Sequence, residues 1–290
     1  MARNQGGILR YPGGKYRVRE QLAQFFQDGS EIYSGFLGGA HVELELCDRL
    51  KNVTAFDLFR LLVNFWTIAQ KYAENLADYV ERHYLGRMTR ELFYDLQAEL
   101  RDLAELRDLT TGFEAAAIFF VLNRSSHSGT TLSGGYSGQR FDANAVQRLR
   151  EFSCPNLTIE CADFRESLPM HADKNKFLDP PYMSAKDLYG NRGDLHKGFP
   201  HKELADLLKR HDKWILCYDN VPEIHELYRG YRKIESLQWA YGMSEDKKSR
   251  EVLIVSDDIV IPDGYASVPN NRTSATFNGV NQLLGRKPVI

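Results

Sequence analysis

The chain has 290 residues, with 37 Lys and Arg against 39 Asp and Glu, a net charge of −2, and 43% hydrophobic residues. That length holds one large domain, or one domain carrying a sizeable insertion. The charge balance excludes a globally basic nucleic-acid binder, so any basic surface has to be local.

Taken in chain order, the first feature is Leu9-Arg10-Tyr11-Pro12-Gly13-Gly14-Lys15, a Gly-Gly turn that presents Lys15 to a carboxylate or phosphate, or simply to solvent. Glu31–Leu37 reads as a strand and runs into Ser34-Gly35-Phe36-Leu37-Gly38-Gly39-Ala40-His41-Val42, a glycine turn that opens a helix. Glycines there let the backbone approach a ligand closely. Asn52–Asp57 is a second strand ending in an acid. From Trp66 to Leu109 the pattern is helical, with Leu92, Leu96, Leu100 and Leu103 on one face, and Glu114–Leu122 is a further helix. Ser125–Ser137 is almost all Ser, Thr and Gly and predicts a flexible loop. Strand runs resume at Leu157–Asp163, Lys176–Asp179, Trp214–Asp219, Tyr231–Leu237 and Arg250–Ser256, with a helical face at Leu204, Leu207 and Leu208 before the third of these. Residues 263–290 are polar and predict an extended tail.

Strands alternating with helices predict an α/β sheet, interrupted by a mostly helical block over 66–150. Ligands of open α/β sheets bind at the carboxyl ends of the strands, so the acids at successive strand ends are candidates for one shared site. The sharpest signal is Phe177-Leu178-Asp179-Pro180-Pro181-Tyr182. Two prolines make a stiff, extended turn at a strand end. They leave carbonyls free to join the Asp179 carboxylate in accepting hydrogen bonds from one amino group, and Tyr182 can stack on a planar ring. Asp57 stands where an acid often holds ribose hydroxyls and Asp163 ends the following strand; either also reads as a helix N-cap.

The four cysteines, at 47, 154, 161 and 217, form no CxxC pair and read as reduced thiols, so no metal is expected. No apolar run reaches membrane-spanning length, and the first residues lack a signal-peptide core. The expectation is a cytoplasmic protein with no membrane partner.

Read in order, these pieces resemble the D12 class of adenine-specific DNA methyltransferases, the class that includes the Dam enzymes. The likeness rests on Tyr11-Pro12-Gly13-Gly14-Lys15, Phe36-Leu37-Gly38-Gly39-Ala40, Asp57, the 66–150 insertion, Leu122-Asn123-Arg124 with Gly129, and Asp179–Tyr182. His201 and Lys248–Ile254 resemble later segments, so the likeness covers about residues 8–256. It implies a Rossmann-like, seven-stranded methyltransferase sheet formed by 1–65 and 151–262, with 66–150 as a helical target-recognition subdomain. It implies S-adenosylmethionine as cofactor, held by Tyr11, Lys15, Phe36, Gly38, Gly39, Asp57, Asp163 and Asp179. In that reading Asp57 takes the ribose, Asp163 faces the adenine, and Tyr11 and Lys15 lie near the methionine end.

Catalysis is assigned to Asp179, Pro180, Pro181 and Tyr182. The likeness further implies adenine N6 in double-stranded DNA as the substrate, on a base flipped out of the duplex. DNA contacts are expected from Arg124, His127, Ser128, Arg140, Lys248 and Arg250, with Arg148, Arg150 and Lys247 available for phosphates, and no obligate protein partner is inferred. The sequence departs from the family pattern in three places. Gly35 stands where proline is usual. Ala40 replaces a glycine, which a methyl group tolerates only if φ stays negative. Leu132 stands where GATC-reading enzymes carry a basic residue. An aminomethyl transferase acting on RNA adenine or protein glutamine, and a catalytically silent DNA-binding relative, are the alternatives.

Overall fold

The computed structural model describes residues 7–49, 51–105, 112–138, 141–184, 198–234 and 251–265. Arg140, Lys247, Lys248, Arg250 and the 263–290 tail beyond Tyr265 lie outside them. Each of the seven apolar runs holds a strand: β1 (Glu31–Ser34), β2 (Asn52–Asp57), β3 (Leu157–Cys161), β4 (Asn175–Leu178), β5 (Trp214–Asp219), β6 (Arg232–Ile234) and β7 (Glu251–Val255). They form one sheet in the order β3-β2-β1-β4-β5-β7-β6. The first five strands are parallel, and β7 runs antiparallel between β5 and β6. This is the α/β, Rossmann-like methyltransferase architecture.

Side chains alternate between two cores because successive residues of a strand face opposite sides. Ile32, Phe177, Ile215, Cys217, Leu253 and Val255 point into one core, and Tyr33, Leu178, Trp214, Leu216, Tyr218 and Ile254 into the other. Every residue of β5 and β7 is buried, as expected for strands covered on both faces. The second core is closed by α7 (Phe164–Met170), α8 (His201–Leu208) and α9 (Pro222–Leu227).

The first core extends from the sheet through α2 (His41–Asp48) into α3 (Arg60–Tyr84), α4 (Arg90–Glu105), α5 (Phe113–Ser125) and α6 (Ala143–Arg150). The helical block starts at Arg60, six residues earlier than its periodicity suggests, because α3 leaves the end of β2 at once. Leu61, Leu62, Phe65, Trp66 and Ala69 pack in its first half, and Leu76, Ala77, Val80 and Tyr84 in its second. Between the halves, Tyr72 leaves helical geometry at φ −139° and ψ 37°. The buried residues of the block and of the sheet make one contiguous cluster.

The Ser/Thr/Gly segment is held, contrary to the expectation of a flexible loop. Ser126 and Tyr136 form a bridge, and Ser137 N donates to Ser125 O at 2.7 Å. Gln97 of α4 donates to the carbonyls of Thr131 (2.8 Å) and Gly134 (2.9 Å), and Arg101 donates to that of Leu132. Leu132 itself is fully buried. The position aligned with a basic DNA reader is thus a core position, and the resemblance in that loop is one of order rather than of side-chain direction. Leu132→Ala is expected to cost about 2–5 kcal/mol, the range for truncating a buried leucine, measured by urea denaturation. Leu132→Arg should cost more, since it buries an unpaired charge.

Candidate active site

β1 and β4 lie side by side, but the strands that follow them run to opposite edges of the sheet. The crevice at their carboxyl ends is the topological switch point where such sheets bind ligands. A cavity of ≈ 260 Å³ opens there, walled by the N-terminal turn, the glycine turn after β1 and the ends of β2, β3 and β4.

Asp179 follows directly on β4. In the N-terminal turn, Gly14 N donates to Tyr11 O at 3.0 Å, and Gly13 takes a φ of +72° that favours glycine. The turn feeds Lys15 into the crevice, where its Nζ lies 2.7 Å from both Asp179 oxygens and 2.7 Å from the Gly13 carbonyl. The Lys15 side chain is 3% exposed and that of Asp179 19%. Burial by itself lowers the lysine pKa, but Asp179, and after it Glu251 and Cys217, outweigh burial and hold the ammonium above its ordinary range. Burial raises the Asp179 pKa, and Lys15 and Tyr182 pull it back. With both oxygens in contact with a fully committed cation, the pair is ionised. Tyr182 Oη donates to Asp179 at 3.4 Å, and its ring lies 4.9 Å from the Lys15 nitrogen.

Behind the Asp-Pro-Pro-Tyr turn, Asp219 at the end of β5 accepts from Met183 N (3.2 Å) and Ser184 N (2.7 Å). The chain leaving the two prolines is therefore tied to the sheet as well as stiffened by its own rings.

The glycine turn is fixed from two sides. Gly38 N donates to Asp57 Oδ2 at 3.0 Å, and the Trp66 indole donates to Gly38 O at 3.0 Å. Asp57 Oδ1 accepts from Phe59 N at 2.9 Å, and burial raises its pKa against these backbone donors. A carboxylate has about four acceptor sites, so hydroxyls can still bond to it. Ala40 stands at φ 55° and ψ 24°, in the left-handed region. The condition that φ stay negative is not met: the turn keeps the left-handed path and carries a strain of about 1–2 kcal/mol.

At the far wall Phe36, Phe164 and Phe199 enclose a corner, with ring centroids 5.6–5.8 Å apart. Asp163 sits beside them as the N-cap of α7, accepting from Arg165 N at 2.8 Å and pairing with the Arg165 guanidinium at 2.8 Å. That hydrogen bond to Arg165, against partial burial, holds its pKa below the usual range. Of the two readings of Asp163, the N-cap is thus realised. An aromatic corner, acids at two strand ends and a buried lysine at the opposite end fit a nucleoside joined to an amino-acid tail. Among the described residues no cluster of His, Cys, Asp and Glu is placed to hold a metal, and no helix is long and apolar enough to cross a membrane.

A family model for D12 class N6 adenine-specific DNA methyltransferases matches residues 11–243, four-fifths of the chain. The chain belongs to that family. The DNA N-6-adenine-methyltransferase of Escherichia phage P1 is similar to it, 24% identical over 246 residues. That match takes in 78% of this chain but 31% of the phage protein, so the chain spans about a third of that relative's length. A methyl donor is implied by the family and by the fold.

In this D12 methyltransferase the residues expected at DNA separate into groups. His127 and Ser128 form an exposed tip, a single 3₁₀ turn with Ser128 at φ 54°. Arg124 does not belong with them: it is 8% exposed, and its guanidinium faces the Ile8 carbonyl at 3.5 Å. As the twelfth residue of α5 its side chain turns inward with the helix's buried face, which corrects its assignment to a phosphate. Arg150 pairs with Asp78 and Glu81 of α3 at 2.7 and 2.6 Å, so it too is engaged within the protein.

The Leu-Asn-Arg motif has a different use. Asn123 is fully buried; its amide accepts from Arg10 N (2.9 Å) and donates to the carbonyls of Arg10 (2.8 Å) and Gly129 (3.0 Å). Gly129, at φ +78°, lies so close that an added Cβ would stand 2.0 Å from Arg10 O.

Several residues around the site went unnoticed in the sequence: Glu43, Phe164, Phe199, and Tyr94, which with the His127 ring lies close to Gly135. Asp219 carried a signal as one of the strand-end acids, but its hold on Met183 and Ser184 was not foreseen. Tyr94 also carried one, a large exposed aromatic at helical spacing from Gln97 and Arg101, which grip the loop.

The buried pair generates a stability prediction. Lys15→Met leaves a desolvated carboxylate without its nearest cation and is expected to cost about 3 kcal/mol. Adding Asp179→Asn to that variant should recover part of the loss. A double-mutant cycle by chemical denaturation measures the coupling, and additive losses would show that the two residues do not act as a pair.

Proposed function

We propose that this protein transfers the methyl group of S-adenosylmethionine to N6 of an adenine flipped out of duplex DNA, at a short recognition sequence. The observation that carries this reading is Asp179, held rigid at the carboxyl end of β4 and opening into the same cavity as Asp57 and the glycine turn. The cofactor supplies an electrophilic methyl group on a sulfonium.

The cavity residues divide the binding work. Phe36 with Phe164 and Phe199 packs the nucleoside base beside Asp163, Asp57 takes ribose hydroxyls, Gly38 and Gly39 let the backbone close on the donor, and Tyr11 and Lys15 border its amino-acid end. Adenine N6 is a weak nucleophile because its lone pair is delocalised into the ring. Hydrogen bonds from the amino group to Asp179 and to the Pro180 carbonyl localise that pair and aim it. As the N–CH₃ bond forms at the expense of the donor's S–CH₃ bond, leaving a neutral thioether, nitrogen becomes cationic; the Asp179 carboxylate opposes that charge, and the surplus N6 proton is lost to solvent. Lys15 keeps Asp179 ionised and oriented, so the carboxylate accepts rather than donates. Tyr182 stacks on the extruded base, and Pro180 and Pro181 prevent the turn from yielding.

Residues 1–65 and 151–262 are the catalytic part and 66–150 the recognition element in this reading. His127 and Ser128 meet the DNA, with Arg90 and Tyr94 of α4 beside them; the Arg90 guanidinium lies 5.8 Å from the Tyr94 ring centroid. Arg140, Lys248 and Arg250 are proposed as flanking phosphate contacts.

The decisive experiment incubates the protein with labelled S-adenosylmethionine and a panel of duplex DNA, RNA and protein substrates, then maps N6-methyladenine. Label entering RNA or protein and not DNA would overturn the proposal. Asp179→Ala should lower the rate by more than tenfold, about 1.4 kcal/mol of barrier, while donor affinity changes little.

Specificity gives a further test. His127→Ala should alter the relative rates at different DNA sites, read by sequencing methylated DNA. An unchanged site profile would move the reading element to α4, where Arg90→Ala is the next variant to map.

A further inference from the structure

Glu43 is a buried acid that the chemistry above leaves without a role. It lies in the first turn of α2, is 2% exposed and lines the donor cavity. Ser34 Oγ at the end of β1 donates to its Oε1 at 2.6 Å.

The charges around it are mostly of its own sign. Asp57 at the end of β2 and Asp179 beyond β4 both face it, as do the thiols of Cys217 on β5 and Cys47 on α2. Lys15 is the nearby cation, and it is committed to Asp179 with Glu251 of β7 also facing it. His41, two residues before Glu43, adds no positive charge, because burial lowers its pKa to about 4. Among the described residues, Glu43, Asp57 and Asp179 thus line, with Lys15, one end of a cavity that, on the S-adenosylmethionine reading, receives a molecule with a sulfonium and an ammonium group.

We propose that Glu43 is the counter-ion for a cationic centre of the methyl donor, and that its carboxyl group releases its proton to solvent when the donor binds. The inference rests on the S-adenosylmethionine reading. Its carboxyl faces the cavity from a fixed helix turn, and its hydrogen bond to Ser34 survives in either protonation state because the hydroxyl donates.

Burial pushes the Glu43 pKa up to about 8; the Ser34 hydrogen bond pulls it back, and Asp179 and Asp57 add to the rise. Below that pH the free protein holds Glu43 neutral. A cation set against it lowers the pKa in the complex, so binding and proton release are linked. Donor affinity then rises with pH as it approaches about 8 and levels off above it. Between pH 6 and 7.5 the slope approaches about tenfold per pH unit, the limit for one linked proton.

The test is calorimetric titration of the full-length protein with S-adenosylmethionine between pH 6 and 7.5, in two buffers of different ionisation enthalpy. The parent is expected to release close to one proton per donor bound. Glu43→Gln, which keeps the side chain's size and the Ser34 contact, should lose that release and flatten the affinity profile. Glu43→Asp, which retains the carboxyl, should keep the release with a shifted midpoint. The demethylated product, which lacks the sulfonium, locates the cation: release kept with the product places the ammonium opposite Glu43, and release lost places the sulfonium there, and both outcomes uphold the counter-ion. A Glu43→Gln variant with the parent's proton release and pH profile overturns the proposal, as does a parent that binds the donor without releasing a proton. A parent that binds no S-adenosylmethionine at any pH sinks the cofactor reading itself, and the inference with it.

Discussion

The ion pair between Lys15 and Asp179 is the contact on which the rest of the site depends. It joins residues 164 positions apart and fixes where the N-terminal turn ends relative to the Asp179–Tyr182 turn. A carboxylate buried at a strand end would protonate or swing toward solvent if left alone. The lysine keeps it charged and limits its orientation. The same pair has a consequence for electrostatics, since Lys15 is already spent on it. Among the described residues Asp57 and Glu43 are bonded by neutral donors rather than by a cation, and this end of the cavity becomes receptive to a cationic ligand although the whole chain is close to neutral.

The N-terminal turn also carries the connection to the helical block. Arg10 is held by Asn123 through two hydrogen bonds, its guanidinium donates to Ser126 O at 2.9 Å, and Gly129 packs against its carbonyl. Five residues later the same segment delivers Lys15 to Asp179. The exposed His127–Ser128 tip and the Asp179 carboxylate are therefore linked by a short, hydrogen-bonded stretch of backbone rather than across a loose hinge. A displacement of the tip is resisted by bonds that end at the site. The contiguous core beneath α3 to α6 and the sheet makes the same point from the packing side.

Much of the fold was legible because strand signals are local. Short β-branched and aromatic runs bounded by Gly, Asp and Pro located all seven strands, and acids at strand ends pointed to the crevice before any topology was known. What periodicity cannot report is direction in three dimensions. Arg124 reads as a surface arginine next to a loop, yet the helix carrying it is buried along nearly its whole length. Leu132 aligns with a DNA-reading residue, but Gln97 and Arg101 pull its segment onto α4 and turn its side chain inward. Glu43 was missed for the opposite reason. An acid in a first helical turn is so commonly a solvated, dipole-favoured residue that nothing in the linear pattern marks one that folds against the carboxyl end of β1 and into a cavity.

Ala40 shows how a motif departure and a backbone path come apart. The family's glycine at this position is needed for its conformation, because the chain must turn through the left-handed region to start α2 while presenting its amides to the crevice. Alanine is a poorer choice but not a forbidden one: the left-handed state costs about 1–2 kcal/mol for a residue with a Cβ, far less than for a β-branched side chain. The surroundings hold it there. Ala40 N donates to Leu37 O at 2.8 Å, its carbonyl receives Leu44 N at 3.0 Å as the first bond of the helix, and its methyl group is buried in the main core. Gly38, two residues earlier, is pinned by Asp57 and Trp66. The turn is over-determined from both ends, so the substitution is absorbed as strain rather than as a change of shape. The cavity-facing backbone keeps the left-handed path that a glycine favours.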